Sequence, residues 1–264
     1  MPTDAIKLNS GLIISFLLVF FRIGAIMFSA PFFGAKNIPM QVRILLSFAI
    51  AVVITSATVP YKNVQIQSLN NMQDILWLFM AIIKEIILGV AIGFIAQLTF
   101  VGIQIAGQII GNDIGFGMMN ILDPATHDVI TVTAELNTII ATLIFIVTYS
   151  HHFILMAIAK SFETIPLTGW TQSGAFVDHL NIVFSNVFTT GLKLAIPVIG
   201  ALFLAKIAMA IVARTMPQMN FFVIGFPIQI TVGLLAIAVS LPFMTRAIFG
   251  LFLSMRDNIW FLFR

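Results

Sequence analysis

The sequence predicts an all-α protein whose helices are surrounded by lipid or by other protein rather than by water. Three observations lead there. Residues of the set Ala, Val, Ile, Leu, Met, Phe, Trp, Tyr and Cys make up 60% of the 264 positions, and Asp, Glu, Lys and Arg only 9%. A soluble domain carries about 45–50% apolar and about 25% charged residues. Six apolar stretches also reach the length that a helix needs to cross hydrocarbon, about 20 residues. Finally, short polar joints separate them, so a single compact unit over 1–264 is expected. This composition excludes an ordinary soluble enzyme, a disordered tail and a coiled coil.

The first stretch runs from Gly11 to Gly34. Residues 11–21 have the character of a signal-peptide core, but Arg22 interrupts them and Pro31 disfavours cleavage after Ser29–Ala30, so a retained helix is expected. The second stretch runs from Pro39 to Val59. The third, Ile75 to Ile110, exceeds one span of about 30 Å and must tilt, bend or leave the hydrocarbon. The fourth runs from Val129 to Ala159. The fifth, Leu180 to Ala213, is expected to break at Pro197. The sixth, Phe221 to Leu253, carries Pro227 and Pro242; proline removes a backbone donor and kinks or breaks a helix. Residues 60–74 and 160–180 read as loops.

Glycine placement suggests close helix packing. Gly89 and Gly93 form a GxxxG, and Gly107, Gly111 and Gly115 repeat at four-residue spacing. Small residues so spaced let backbones approach, although glycine is common in membrane helices generally.

The 13 basic and 10 acidic residues form no run of like charge, so nucleic acid is not an expected partner. With six spans, Lys7, Lys62, Lys160, Arg256 and Arg264 share one side and Lys36, Arg43 and Arg214 the other, a slight positive-inside bias placing both ends in the cytoplasm. Arg22, Lys84, Glu85, Glu135, Lys193 and Lys206 fall inside the apolar stretches, where an ionisable group costs about 2.5–3.5 kcal/mol at the bilayer centre. Two readings stand: contact with neighbouring subunits, or snorkelling toward helix ends. Snorkelling suits Lys206 better than Arg22, Lys84 or Glu135.

Catalytic constellations are missing. Cysteine is absent. His151 and His152 are adjacent and do not share a helix face, so they are poorly placed to chelate a metal. Asp113, Asp123 and Asp128 cluster in one joint rather than facing each other from two helices, and no Gly-x-Ser-x-Gly or GxxxxGK[ST] is present. No enzyme activity, cofactor or metal is expected. Broken helices with buried charges also suit a secondary transporter, which stays as an alternative, although two matched halves are lacking.

The most unusual stretch is Gly111-Asn-Asp-Ile-Gly-Phe-Gly-Met-Met-Asn-Ile-Leu-Asp-Pro124. Gly115 and Gly117 make its backbone permissive, and Pro124 disfavours helix at Asp123. It is apolar where a connecting loop is usually polar. Methionine adapts to irregular gaps. Such a stretch suits a deformable seal in a pore, or a re-entrant segment that packs between helices.

Taken in order, several blocks resemble the FliR family of flagellar export-gate proteins, whose injectisome relatives are called SctT. They are Arg22-Ile-Gly24 before Ala30-Pro31-Phe32-Phe33-Gly34; Ile38-Pro39-Met40-Gln41-Val42-Arg43; the Gly-rich joint ending Asp123-Pro124; and His151-His152 ahead of Ser161-Phe162 and Pro166. The last and most specific block is Met216-Pro217-Gln218-Met219-Asn220, continuing to Gly225-Phe226-Pro227.

The resemblance spans nearly the whole chain and implies a non-enzymatic subunit of the flagellar type III export channel, in the bacterial inner membrane at the flagellar basal body. In that family one copy joins several FliP and FliQ copies, with FlhB around the entrance and FlhA beneath, and unfolded flagellar proteins pass through. The helices form kinked hairpins; residues 1–128 would be FliP-like, and 129–264 would end in a FliQ-like part. A plug loop would cover 111–122, with Ile114, Phe116, Met118 and Met119 as plug side chains and Gly111, Gly115, Gly117 and Pro124 as its hinges. Arg22, Lys84, Glu85, Glu135, Lys193 and Lys206 would serve as intersubunit charges. An injectisome role is the nearest alternative.

Overall fold

The computed structural model describes residues 2–35, 38–57, 72–118, 131–170, 174–215 and 221–263. It is all-α, with no strand among the described residues. The helices are α1 (Pro2–Ser29), α2 (Met40–Ala57), α3 (Met72–Ile114), α4 (Val132–Val147), α5 (Ser150–Thr164), α6 (Gly174–Thr215) and α7 (Phe221–Phe261), with a 3-10 turn at Phe116–Met118. Among the described residues five helices are long and apolar enough to cross a membrane, and up to six spans result if α4 and α5 count as one broken span. This is an all-α membrane protein.

Two expectations are corrected. The fourth stretch is two helices, interrupted at Thr148–Tyr149, where Tyr149 takes a left-handed φ of 56°. The Thr148 amide still caps α4 on the Ile144 carbonyl at 2.9 Å. The fifth stretch does not break: α6 runs through Pro197, and α7 runs through Pro227 and Pro242. One proline in a helix interior costs about 3 kcal/mol. Opening a turn in an apolar setting exposes several backbone groups at several kcal/mol each. Losing one hydrogen bond therefore costs less than ending the helix.

Contacts divide the chain into two compact units, both assembled from separated segments. One comprises Met1–Gln97, Ser150–Leu180 and Met255–Arg264. The other comprises Leu98–Tyr149 and Asn181–Ser254.

In the first unit, α1 presents Ile14, Leu18, Ile23 and Ile26 inward, near helical period, and packs on α2. Phe16 and Phe20 meet Phe48 of α2 edge-on, with centroids at 5.3 and 6.4 Å. Between helices already in lipid, apolar burial gives little drive, so close packing and polar contacts must fix the arrangement. The GxxxG supplies the first. A Cβ on Gly89 would lie 2.5 Å from the Arg22 carbonyl oxygen, and one on Gly93 only 2.0 Å from Ser29 Oγ. α1 thus runs against the glycine face of α3.

Arg22 supplies the second. It and Glu85 of α3 are fully buried and ion-paired through Nε. Arg22 Nη1 donates to the carbonyls of Ser161 and Ile165, both at 3.1 Å. The Phe162 ring lies 4.3 Å from the guanidinium carbon. The other Glu85 oxygen accepts the Thr168 amide at 2.9 Å. One charge pair therefore ties α1, α3, α5 and the turn after α5. Arg22 and Glu85 thus pair with each other inside the unit.

In the second unit, α3 carries a second glycine face. A Cβ on Gly107 would sit 2.4 Å from Ala134 Cα, and one on Gly191 of α6 would sit 2.8 Å from Ile105. Phe100, Phe145 and Phe252 of α3, α4 and α7 form a triangle with centroids 5.4–5.5 Å apart.

Removing one member of a buried ion pair leaves an uncompensated charge, at about 3–5 kcal/mol. Glu85→Ala is expected to lower the thermal stability of the detergent-solubilised chain sharply. Joint replacement by Arg22→Met and Glu85→Leu is expected to recover most of that loss, and melting curves of the variants check it.

Candidate functional site

The candidate site is the joint that leaves α3, in the second unit. Its first residues are not a loop. Gly111 to Ile114 complete the last turn of α3, and Gly115 follows at φ 106°, donating its amide to the carbonyls of Gly111 and Asn112 at 3.1 and 3.2 Å. That conformation requires glycine on sterics, and a Cβ there would also press within 2.9 Å of the Phe226 ring. The chain then makes the 3-10 turn Phe116–Met118. A Cβ on Gly117 would come within 2.7 Å of Asn112 Oδ1.

The stem is anchored on three sides. Toward α4, Thr133 Oγ1 donates to the Gly107 carbonyl at 2.7 Å and lies 3.1 Å from Thr131 Oγ1, which accepts the Ala134 amide as the N-cap of α4. A Cβ on Gly111 would meet the Thr133 and Thr131 hydroxyls at 2.3 and 2.6 Å. Toward α6, Asp113 and Lys206 form a partly exposed ion pair. Toward α7, Ile114 lies fully buried, and a Cβ on Gly233 would be 2.5 Å from it.

The expected site residues therefore separate. Ile114 is a fully buried residue at the end of α3, packed against Gly233. Phe116 is half-buried beyond the Gly115 turn. Met118 ends the 3-10 turn, while Met119 and Pro124 lie outside the described residues. Gly111 is a contact point for the start of α4.

The charges separate likewise. Lys206 is paired with Asp113 of its own chain, both side chains being partly exposed. Lys84, Glu135 and Lys193 are exposed on α3, α4 and α6, with no ion pair among the described residues. No three His, Asp or Glu side chains gather as around a metal among the described residues.

Sequence reasoning missed Thr131, Thr133, Phe226 and Gly233. The first two carried a readable signal: a threonine followed by an apolar run is an N-cap pattern. Phe226 stood in the most specific sequence block without any sign of what it touches, and Gly233 carried no signal, because what each touches is distant in sequence.

Comparison with known proteins fits this picture. Residues 13–255 match the family described as bacterial export proteins, family 1. The flagellar biosynthetic protein FliR of Escherichia coli K12 is 32% identical, the match covering 84% of this chain and 82% of the relative. That of Bacillus subtilis strain 168 is also 32% identical, over 93% and 94%. That of Aquifex aeolicus is 31% identical, over 88% and 87%. The chain belongs to the FliR family. In this FliR-family chain both glycine faces of α3, the buried ion pair and the anchored stem all fall inside the matched span.

Gly115→Ala forces a left-handed backbone on a residue with a Cβ and drives that atom against Phe226. A loss of about 1–2 kcal/mol is expected from the backbone alone, measurable by thermal unfolding, with Gly174→Ala, whose Cβ would meet nothing within 4 Å, as the control.

Proposed function

We propose that this chain is a non-enzymatic subunit of the flagellar type III protein export channel, forming the pore with FliP and FliQ, and that its 111–122 segment plugs that pore. The observation that carries this reading is the match to FliR proteins along more than four fifths of both chains. The assembly operates in the bacterial inner membrane at the basal body, with FlhB and FlhA as further partners and unfolded flagellar proteins as cargo. The part to residue 128 is FliP-like, and the last part is FliQ-like.

Gating arises from the way the stem is held. A narrow apolar constriction sheds water and so blocks ions. Its side chains are Phe116, Met118 and Met119. Ile114, the Asp113–Lys206 pair and the Thr133–Gly107 bond hold everything before Gly115 in place, so a passing chain displaces only the residues beyond Gly115. The sequence has no GxxxxGK[ST] loop, so the energy for export comes from other subunits or from the proton gradient.

Helix length supports protein neighbours. At 1.5 Å per residue, α3, α6 and α7, with 43, 42 and 41 residues, are each about 60–65 Å long, twice a hydrocarbon core of about 30 Å. Only 22% of the apolar window of α6 and 17% of that of α7 is buried within the chain, against 61% for α3. Lipid alone is too thin to cover such lengths. Lys84, Glu135 and Lys193 are the charges available to neighbours.

Joint replacement of Phe116, Met118 and Met119 by glycine is expected to raise ion conductance of the assembled complex without loss of assembly; an unchanged conductance removes the plug. Lys193→Gln is expected to reduce recovery of FliP-like and FliQ-like partners with the tagged chain. Undiminished recovery assigns Lys193 to snorkelling instead.

A further inference from the structure

Between Asn181 and Ser254, the part of the second unit that holds most of α6 and α7, the only charged residues are Lys193, Lys206, Arg214 and Arg246. This part therefore has cations and no anion of its own. Lys206 is met by Asp113 of α3. Lys193 and Arg246 are exposed and have no ion pair among the described residues. Arg246 is a further charge inside the sixth apolar stretch. It stands two residues from both Met244 and Ile248, which are buried, and Lys193 stands two residues from both Gly191 and Ala195, also buried. Two residues are about 200° around a helix, so each cation points away from the core.

The contacts along α3 put the two cations at one level. α6 runs parallel to α3: a Cβ on Gly191 would lie 2.8 Å from Ile105 and 3.1 Å from the Gly102 carbonyl oxygen, and further on Lys206 reaches Asp113. α7 runs antiparallel: Phe252 meets Phe100 with centroids 5.5 Å apart, and a Cβ on Gly233 would be 2.5 Å from Ile114. Interpolated between these contacts, Lys193 and Arg246 both fall within about one turn of Ile105. α6 and α7 are themselves neighbours, since the same Cβ on Gly233 would be 3.5 Å from Leu202.

Apolar surface flanks this level on both sides. Phe188 and Ile196 of α6 and Phe243 and Phe249 of α7 are all exposed. A hydrated headgroup layer would leave polar side chains on one side of the level, whereas these charges interrupt an apolar face in its middle. A cation so placed is costly unless an anion meets it. We propose that an apolar helix of a neighbouring subunit docks here through an Asp or Glu side chain that faces Lys193 and Arg246. A guanidinium takes a carboxylate in a forked pair, and the ammonium at the same level adds a second positive charge. The inference rests on the reading that other subunits cover this chain, and it names the chemistry by which one of them is recognised.

The test uses the full chain purified with its partner subunits and treated with a carbodiimide, which takes up the water as a lysine amine and a carboxylate condense to an amide. Mass spectrometry is expected to find position 193 linked to an Asp or Glu in an apolar helix of a partner. In the Arg246→Lys variant the introduced amine is expected to form such a link as well. Arg246→Glu, at an exposed position that leaves the core untouched, is expected to lower partner recovery about tenfold, the effect of turning one interfacial attraction into repulsion. Arg246→Lys is expected to keep it. An assembled complex with no link from either position, links to a second copy of this chain, or undiminished recovery with Arg246→Glu overturns the proposal. Failure of the unaltered chain to recover any partner overturns the export-channel reading itself.

Discussion

The buried pair of Arg22 and Glu85 is the interaction on which the first unit depends. In water the apolar faces of α1, α3 and α5 would be driven together by solvent. Among lipid tails that drive is nearly absent, and helices could slide or rotate at little cost. A charge sealed from solvent changes this. Its desolvation is tolerable only where the partner carboxylate and the carbonyls of Ser161 and Ile165 stand at the right depth and angle. Separating α1 from α3 leaves a bare charge, and displacing α5 leaves guanidinium donors unpaired. The pair acts less as glue than as a register mark, and the glycines at 89 and 93 let α1 come close enough to reach it.

The second unit solves the same problem with uncharged groups. Gly107 and Gly111 admit the start of α4 to backbone contact, and two threonine hydroxyls use the Gly107 carbonyl as acceptor. Steric fit and hydrogen bonding coincide at one point on α3. The partly exposed Asp113–Lys206 pair contributes less; exposed pairs are worth up to about 1 kcal/mol. Ile114 under Gly233 and Gly115 against Phe226 then define where regular helix stops. Gly115 is thus the single residue that separates the end of α3 from the 3-10 turn at Phe116–Met118.

Much of this was legible in the sequence, for physical reasons. Long apolar runs state the solvent, and the four-residue glycine repeats on α3 stated the close approaches, although not which helix would fill each. The family blocks also acquire structural reasons: Arg22 of the first block anchors the ion pair, and Arg43 of the second closes the α1–α2 turn. Other features were not legible. Nothing local pairs Arg22 with Glu85 across 63 positions. Proline chemistry suggested a break at Pro197, but the helix continues because the alternative is worse in an apolar setting. The interruption at Tyr149 was hidden because its neighbours remain apolar enough to read as one span. Ile114 looked like its greasy neighbours, and nothing local marks it as the one buried under Gly233.

The lengths of α3, α6 and α7 have a consequence for the cell. Each of these three helices is roughly twice as long as the hydrocarbon of a bilayer is thick. The surplus invites clumping or proteolysis until something envelops it.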